Sequence, residues 1–213
     1  MRLPTIIDNS KPDSEIHYDI GEVKPFQYPE IEEITPKLIL KIENLVRGSI
    51  EYKEMVSYIK EEMNLDHCMI LFNVDTDTAT IDLHHHPMPL FDIVDIIARK
   101  QLEENSNCTI FTIAEEVMKC HYELIIGLIP LTRTVHQLYH SGTIDIPVQL
   151  VSFRWKEFLE RYKDYFTDSQ KESLQNKTDL SDKIIEDLQY PIMERRYTYL
   201  HVDNMTFVKK IDD

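Results

Sequence analysis

Between residues 36 and 66 apolar positions recur every three or four residues, the period of a helix that buries one face. "KLILKIENLVRGS" predicts a helix opening after Pro36, which suits a first turn because it has no N–H to leave unbonded. "EYKEMVSYIKEEMN" predicts a second, with Met55, Ile59 and Met63 four apart. The period then changes: "HCMILFNV" and "TATIDLHHH" read as strands joined at "DTDT". Beyond Pro89 the helical period returns in "LFDIVDIIARKQLEEN", with Asp92 and Asp95 on its expected wet side. It continues in "TIAEEVMKCHYELII", where Thr112 and Glu115 have the spacing of a capping box. "GLIPLTRTVHQLYHSG" predicts a short apolar segment, a helix from about Arg133, and a stop at Gly142. "IPVQLVSF" reads as a strand, "RWKEFLERYKDYF" and "DLSDKIIEDLQ" as helices, and "RRYTYLHV" as a last strand.

These elements predict an α+β protein, mainly helical. Residues 1–35 lack periodicity and form an extended acidic arm in this reading, followed by a helical flank over 36–66 and a C-terminal α/β extension over 144–213. Trp155, Phe158 and Tyr162, at helical spacing, are assigned to the core.

Composition narrows the function classes. Four glycines leave no glycine-rich phosphate loop, and no apolar run is long enough to span a bilayer. The first residues lack a secretory apolar block, so a cytoplasmic location is expected. Cys68, Cys108 and Cys120 are scattered without a CxxC pair and are expected as small core residues. A formal net charge of −15 argues against an indiscriminate nucleic-acid coat. Residues 127–163 nevertheless hold five Lys/Arg against three acids, a local basic surface in an acidic chain. The Lys/Ile/Asp/Glu-rich composition is of a kind met in phage and mobile-element proteins.

Chemistry is concentrated in histidine. His136 and His140 are four apart and project from one helical face, a standard way to hold one divalent metal ion. His84, His85 and His86 stand upstream, at the end of a strand. Alternation puts His84 and His86 on one strand face and His85 on the other.

"HHPMPL" followed by "GLIPLTRTVHQLYHSG" resembles the HNH, or ββα-metal, nuclease family, over roughly residues 67–143. The resemblance implies a ββα-metal finger core, here with a two-helix insertion over 90–126, embedded in a mainly helical single domain. It implies a metal-dependent endonuclease acting on DNA, or less expectedly RNA. His85 would be a metal ligand and His86 the general base, with His136 and His140 completing the site. His84 would be a spare or outer ligand. One divalent ion is implied, Mg, Mn, Ni or Zn. Pro89-Leu90 sets the His85–His86 frame, and a His84–His85 frame remains open. Arg133, Arg154 and Lys156 would guide the phosphates. The family's middle asparagine is replaced by Gly127, for which His121 is the candidate auxiliary residue.

Two rival readings use the same residues. A degenerate finger would bind metal without catalysis and serve as a nucleic-acid or protein interaction module. A JAMM-like zinc metalloprotease would use His84, His86 and Asp95 with Glu51 or Glu54, leaving His136 and His140 unexplained.

Overall fold

The computed structural model describes residues 30–71, 74–104, 108–188, 197–202 and 205–210, with side chains as far as residue 182. It is mainly helical, with a small two-stranded sheet, and so belongs to the α+β class. In chain order the elements are α1 (Pro36–Gly48), α2 (Ile50–Glu61), β1 (Ile81–His85), α3 (Leu90–Glu104) and α4 (Ile110–Tyr122). They continue with β2 (Leu128–Thr132), α5 (Arg133–His140), α6 (Trp155–Tyr162), α7 (Asp168–Leu188), β3 (Tyr197–Val202) and β4 (Met205–Lys210). β3 and β4 form an antiparallel pair of their own.

β1 and β2 pair antiparallel, with His84 opposite Ile129 and His85 opposite Leu128. Opposite residues share a face, so this register sorts the strand into two populations. Leu83, His85 and Leu128 face a large core supplied by α1, α3, α4 and α6. Asp82, His84, Ile129 and Leu131 face a smaller core of Cys68, Met69, Val135, Ile146 and Leu150. The sheet is therefore a partition between two apolar clusters. The large one buries Ile39, Ile42, Ile93, Val94, Ile96, Ile97, Ile113 and Val117 almost completely, each contributing roughly 1.5–3 kcal/mol relative to exposure.

Several predicted elements form for the expected reasons. Thr35 and Ser49 cap α1 and α2, and Pro36 stands in the first turn of α1. The three cysteines are free and buried, and Phe158 and Tyr162 are core. Gly142, at φ 69°, ends the turn after α5.

Others differ. The cap of α4 is Thr109, closed by Thr112 rather than by a Thr112–Glu115 box. The strand expected over 67–74 does not form among its described residues: His67 bridges Asp75 singly and Met69 N donates to Pro130 O. Pro130 has no N–H to return, so the free edge of β2 cannot extend a ladder there. Residues 146–153 contain a short 3-10 turn, Val148–Leu150, in place of a strand. Asp95 is buried rather than wet, held by Arg99 and by Gln170 of α7. α7 begins well before the predicted helix at 179, and its early turns cover that side of α3. The arm over 1–29 lies outside the described residues. Among those described, no helix is long and apolar enough to cross a membrane.

Candidate metal centre

α5 starts directly where β2 ends. The Thr132 hydroxyl accepts from Val135 N at 3.2 Å, and Val135 is buried in the smaller core. Those two anchors fix the helix phase and turn His136 and His140 toward the face of β1 that carries His84. The Nδ1 of His84 lies 2.9 Å from Nε2 of His136, which lies 2.9 Å from Nε2 of His140. Their candidate ligand atoms all fall within 4.8 Å of one another, an arrangement that could hold a metal ion.

The donor chemistry fits such an ion. Asp82 Oδ2 stands 3.8 Å from His136 Nδ1, on the side away from the convergence point. A carboxylate there favours a proton on Nδ1 and leaves Nε2 as a lone pair, the usual outer support of a ligating imidazole. One Nε2 lone pair then faces two further ring nitrogens, a group that a shared cation satisfies better than two hydrogen bonds do. Burial, followed by the neighbouring His136, His86 and His140, pushes His84 down to about 3. His136 is also lowered, mainly by burial. Neutral imidazole is the ligating form.

His86 shares this face. Its Nε2 lies 2.9 Å from the Ile146 carbonyl, which only accepts, so Nε2 carries the proton. Nδ1 is then the basic nitrogen, and the Tyr139 hydroxyl donates to it at 3.3 Å. His86 is 1% exposed, and burial with the charge of Lys177 lowers it to about 4. The Tyr139 ring meets His84 and His86 edge-on, at centroid distances of 4.9 and 5.4 Å.

His85 does not join this group. It is 3% exposed on the opposite face, stacked on Tyr52, with its Nε2 3.0 Å from Nε2 of His121. His121 Nδ1 donates to Val117 O at 2.8 Å, so its Nε2 accepts the proton of His85. Both rings are neutral and bonded within the large core. Burial pushes His121 down to about 4 and holds His85 well below the usual imidazole range. The geometry therefore replaces His85 by His84 as the residue that meets the helix pair, and turns His121 away from the place of the asparagine that Gly127 replaces. Period-two alternation is the reason, since β1 stays regular through His85. Neither consecutive frame survives intact: the ligand-like residue is His84, and the base-like residue on its face is His86.

Gly127 has a steric cause. An added Cβ would lie 2.1 Å from His86 O and 2.7 Å from Val151 Cγ1. His86 N also donates to Gly127 O at 3.1 Å. Backbone packs where an asparagine side chain would have to begin.

The expected basic surface is largely neutralised from within. Arg154 pairs with Glu157 and donates to Glu123 O, while Lys156 lies over the Trp155 ring. Arg161 binds Glu123 and Glu157, and Lys163 binds Glu160. Of the nominated cations Arg133 alone is placed beside the histidines, 67% exposed and 3.9 Å from Asp82. The carboxylates Glu51, Glu54 and Asp95 take no part in the histidine group. Sequence reading missed Tyr139, Asp82 and Lys177. Tyr139 was legible, three residues after His136 on the same helical face. Lys177 was not: it reaches the site from α7, donating to Pro87 O at 2.6 Å across ninety positions.

No match was found among curated proteins or among solved structures. The family model described as "Bacteriophage G278-like virion protein" matches residues 5–206, nearly the whole chain. The chain belongs to the bacteriophage G278-like virion protein family.

Proposed function

We propose that this virion protein is a metal-dependent phosphodiesterase acting on DNA, built on a ββα-metal finger. The carrying observation is the convergence of His84 Nδ1, His136 Nε2 and His140 Nε2 from a strand and from the helix that follows its partner strand. The order β1, β2, α5 is that of an HNH-like finger, with α3 and α4 as the insertion between its strands.

Three imidazoles with no carboxylate among them favour Zn, Ni or a similar late transition metal over Mg or Mn. When bound, such an ion would stabilise the charge that builds on the phosphate and the leaving oxygen. His84, His136 and His140 would hold it, and Asp82 beside Nδ1 would keep His136 in the ligating tautomer. His86 Nδ1 takes the proton of the attacking water while Nε2–H stays on Ile146 O. The water oxygen bonds to phosphorus as the bond to the leaving oxygen breaks. The Tyr139 hydroxyl, now on Nδ1, yields that place to the water. Arg133 offers a charge to the phosphate chain.

A second reading has its own support: a metal-holding module of the particle, without catalysis. The near-complete burial of His86 and its cap by Tyr139 favour it.

Nicking of supercoiled plasmid, with Zn²⁺, Ni²⁺, Mn²⁺ or Mg²⁺ added to metal-stripped protein, separates the two. Cleavage that drops at least about a hundredfold in His86→Ala, with metal uptake retained, supports the enzyme. Stoichiometric metal uptake without cleavage under any of the four ions establishes the second reading.

A further inference from the structure

We propose that Lys177 of α7 forms an anion-binding subsite beside the histidines, and that its ligand is a backbone phosphate of nucleic acid. The inference rests on the nuclease reading and adds where the phosphate is held.

Lys177 is the cation that chain folding, rather than local sequence, brings to this place. Its side chain is half-buried, and its Nζ donates to the carbonyl of Pro87, the residue next to His86. No carboxylate lies within ion-pair distance of it among the described residues. Asp92 of α3 is the acid whose charge reaches it. An ammonium carries three donors, and the Pro87 carbonyl uses one. Taking a charge partly out of water costs free energy that a neutral carbonyl repays poorly, and an anion repays it better.

Its charge is felt at both His84 and His86, which places it within electrostatic reach of the two histidines that β1 contributes to the site. Lys177 also lines an open groove along α7 with Ser173 and Asn176, two neutral hydrogen-bonding side chains, and with one acid, Glu172. The basic residues of 133–163 behave differently: Arg154, Arg161 and Lys163 are each paired with glutamate. Arg133 stands by Asp82 at the start of β1, and Lys177 stands by Pro87 just past its end. The two cations bracket the strand that carries His84. A strand of nucleic acid passing over the exposed rim of the site, from Arg133 past His140 to Lys177, meets one at each end, with the scissile phosphate between them. Phosphate contacts of this kind position a substrate without reading its sequence.

The test is binding of a short fluorescent DNA duplex to the full chain in chelator, so that cleavage cannot contribute. Lys177→Gln keeps an N–H for Pro87 O and removes only the charge. It is expected to weaken binding about tenfold and to lower the slope of log K against log salt by about one. Lys177→Arg restores most of both, and metal uptake stays at the wild-type level in each variant. Wild-type affinity and slope in Lys177→Gln overturn the subsite and leave the nuclease reading standing. An affinity loss with an unchanged slope assigns Lys177 to loop packing and also overturns it. Absence of binding by the wild type removes the nuclease reading, and the subsite with it.

Discussion

The two faces of β1 carry the same residue type in adjacent positions and do opposite things with it. On one face His85 bonds His121, whose other nitrogen bonds Val117 O, and Tyr52 closes the group. Both imidazole N–H protons there have an acceptor, so the pair is finished without a ligand. On the other face, His84, His136 and His140 point nitrogens at one spot, and a single Nε2 faces two neighbours. A histidine cluster thus becomes a candidate site through the way its lone pairs are left, and burial alone does not tell the two apart. His86 lies between these cases, buried like His85 but with Nδ1 engaged only by a displaceable hydroxyl.

The largest effect that breaks this comparison is at Gly127, whose backbone supports both faces. Gly127→Asn puts a Cβ against the His86 carbonyl, a backbone atom that cannot move aside without shifting both His85 and His86. A loss of at least about 3 kcal/mol is expected, read from the urea midpoint. A variant as stable as the wild type would show that the loop can relax and that an asparagine fits at this position.

Acid comes next, and it acts on the finished face. His121 has its folded value at about 4, below the unfolded 6.5, through burial. The unfolded chain therefore binds the proton first as pH falls. The contribution is complete above about pH 6.5 and lost on the way to pH 4, on the order of 3 kcal/mol. His84 and His86 are lowered too and add to the same trend. His121→Leu should flatten the urea-stability profile between pH 7 and 4 while leaving metal uptake intact. A lost metal site in that variant would mean that the two faces are not independent.

Metal addition sharpens the other face with a smaller effect. At a hundredfold excess over Kd, Zn²⁺ or Ni²⁺ should raise wild-type stability by about 2.7 kcal/mol. His136→Ala with His140→Ala should abolish that gain, in contrast to His121→Leu. An equal rise in both variants would locate the ion elsewhere.

Much of this site was readable before the fold. The His136–His140 spacing, the helix from Arg133 and the two helices between the strands are consequences of short-range periodicity, and they reappear at those positions. The choice among three consecutive histidines was harder. The Pro89-Leu90 spacing pointed to His85, whereas strand alternation only separated His85 from His84 and His86, and that separation holds because β1 remains regular. The basic surface over 133–163 misled because a charge count along the chain ignores i,i+3 and long-range partners such as Glu157 and Glu123.

By itself, then, the sequence determined the helices as far as α6, the histidine types and the two registers in which they repeat, because those depend on neighbours within about one turn or one pleat. Tertiary structure alone decided which histidines meet. The register of β1 on β2, the burial of His85 under Tyr52 and the approach of Lys177 from α7 join residues dozens of positions apart. Such contacts depend on packing that no local pattern specifies, and they separate a structural histidine from one left facing a ligand.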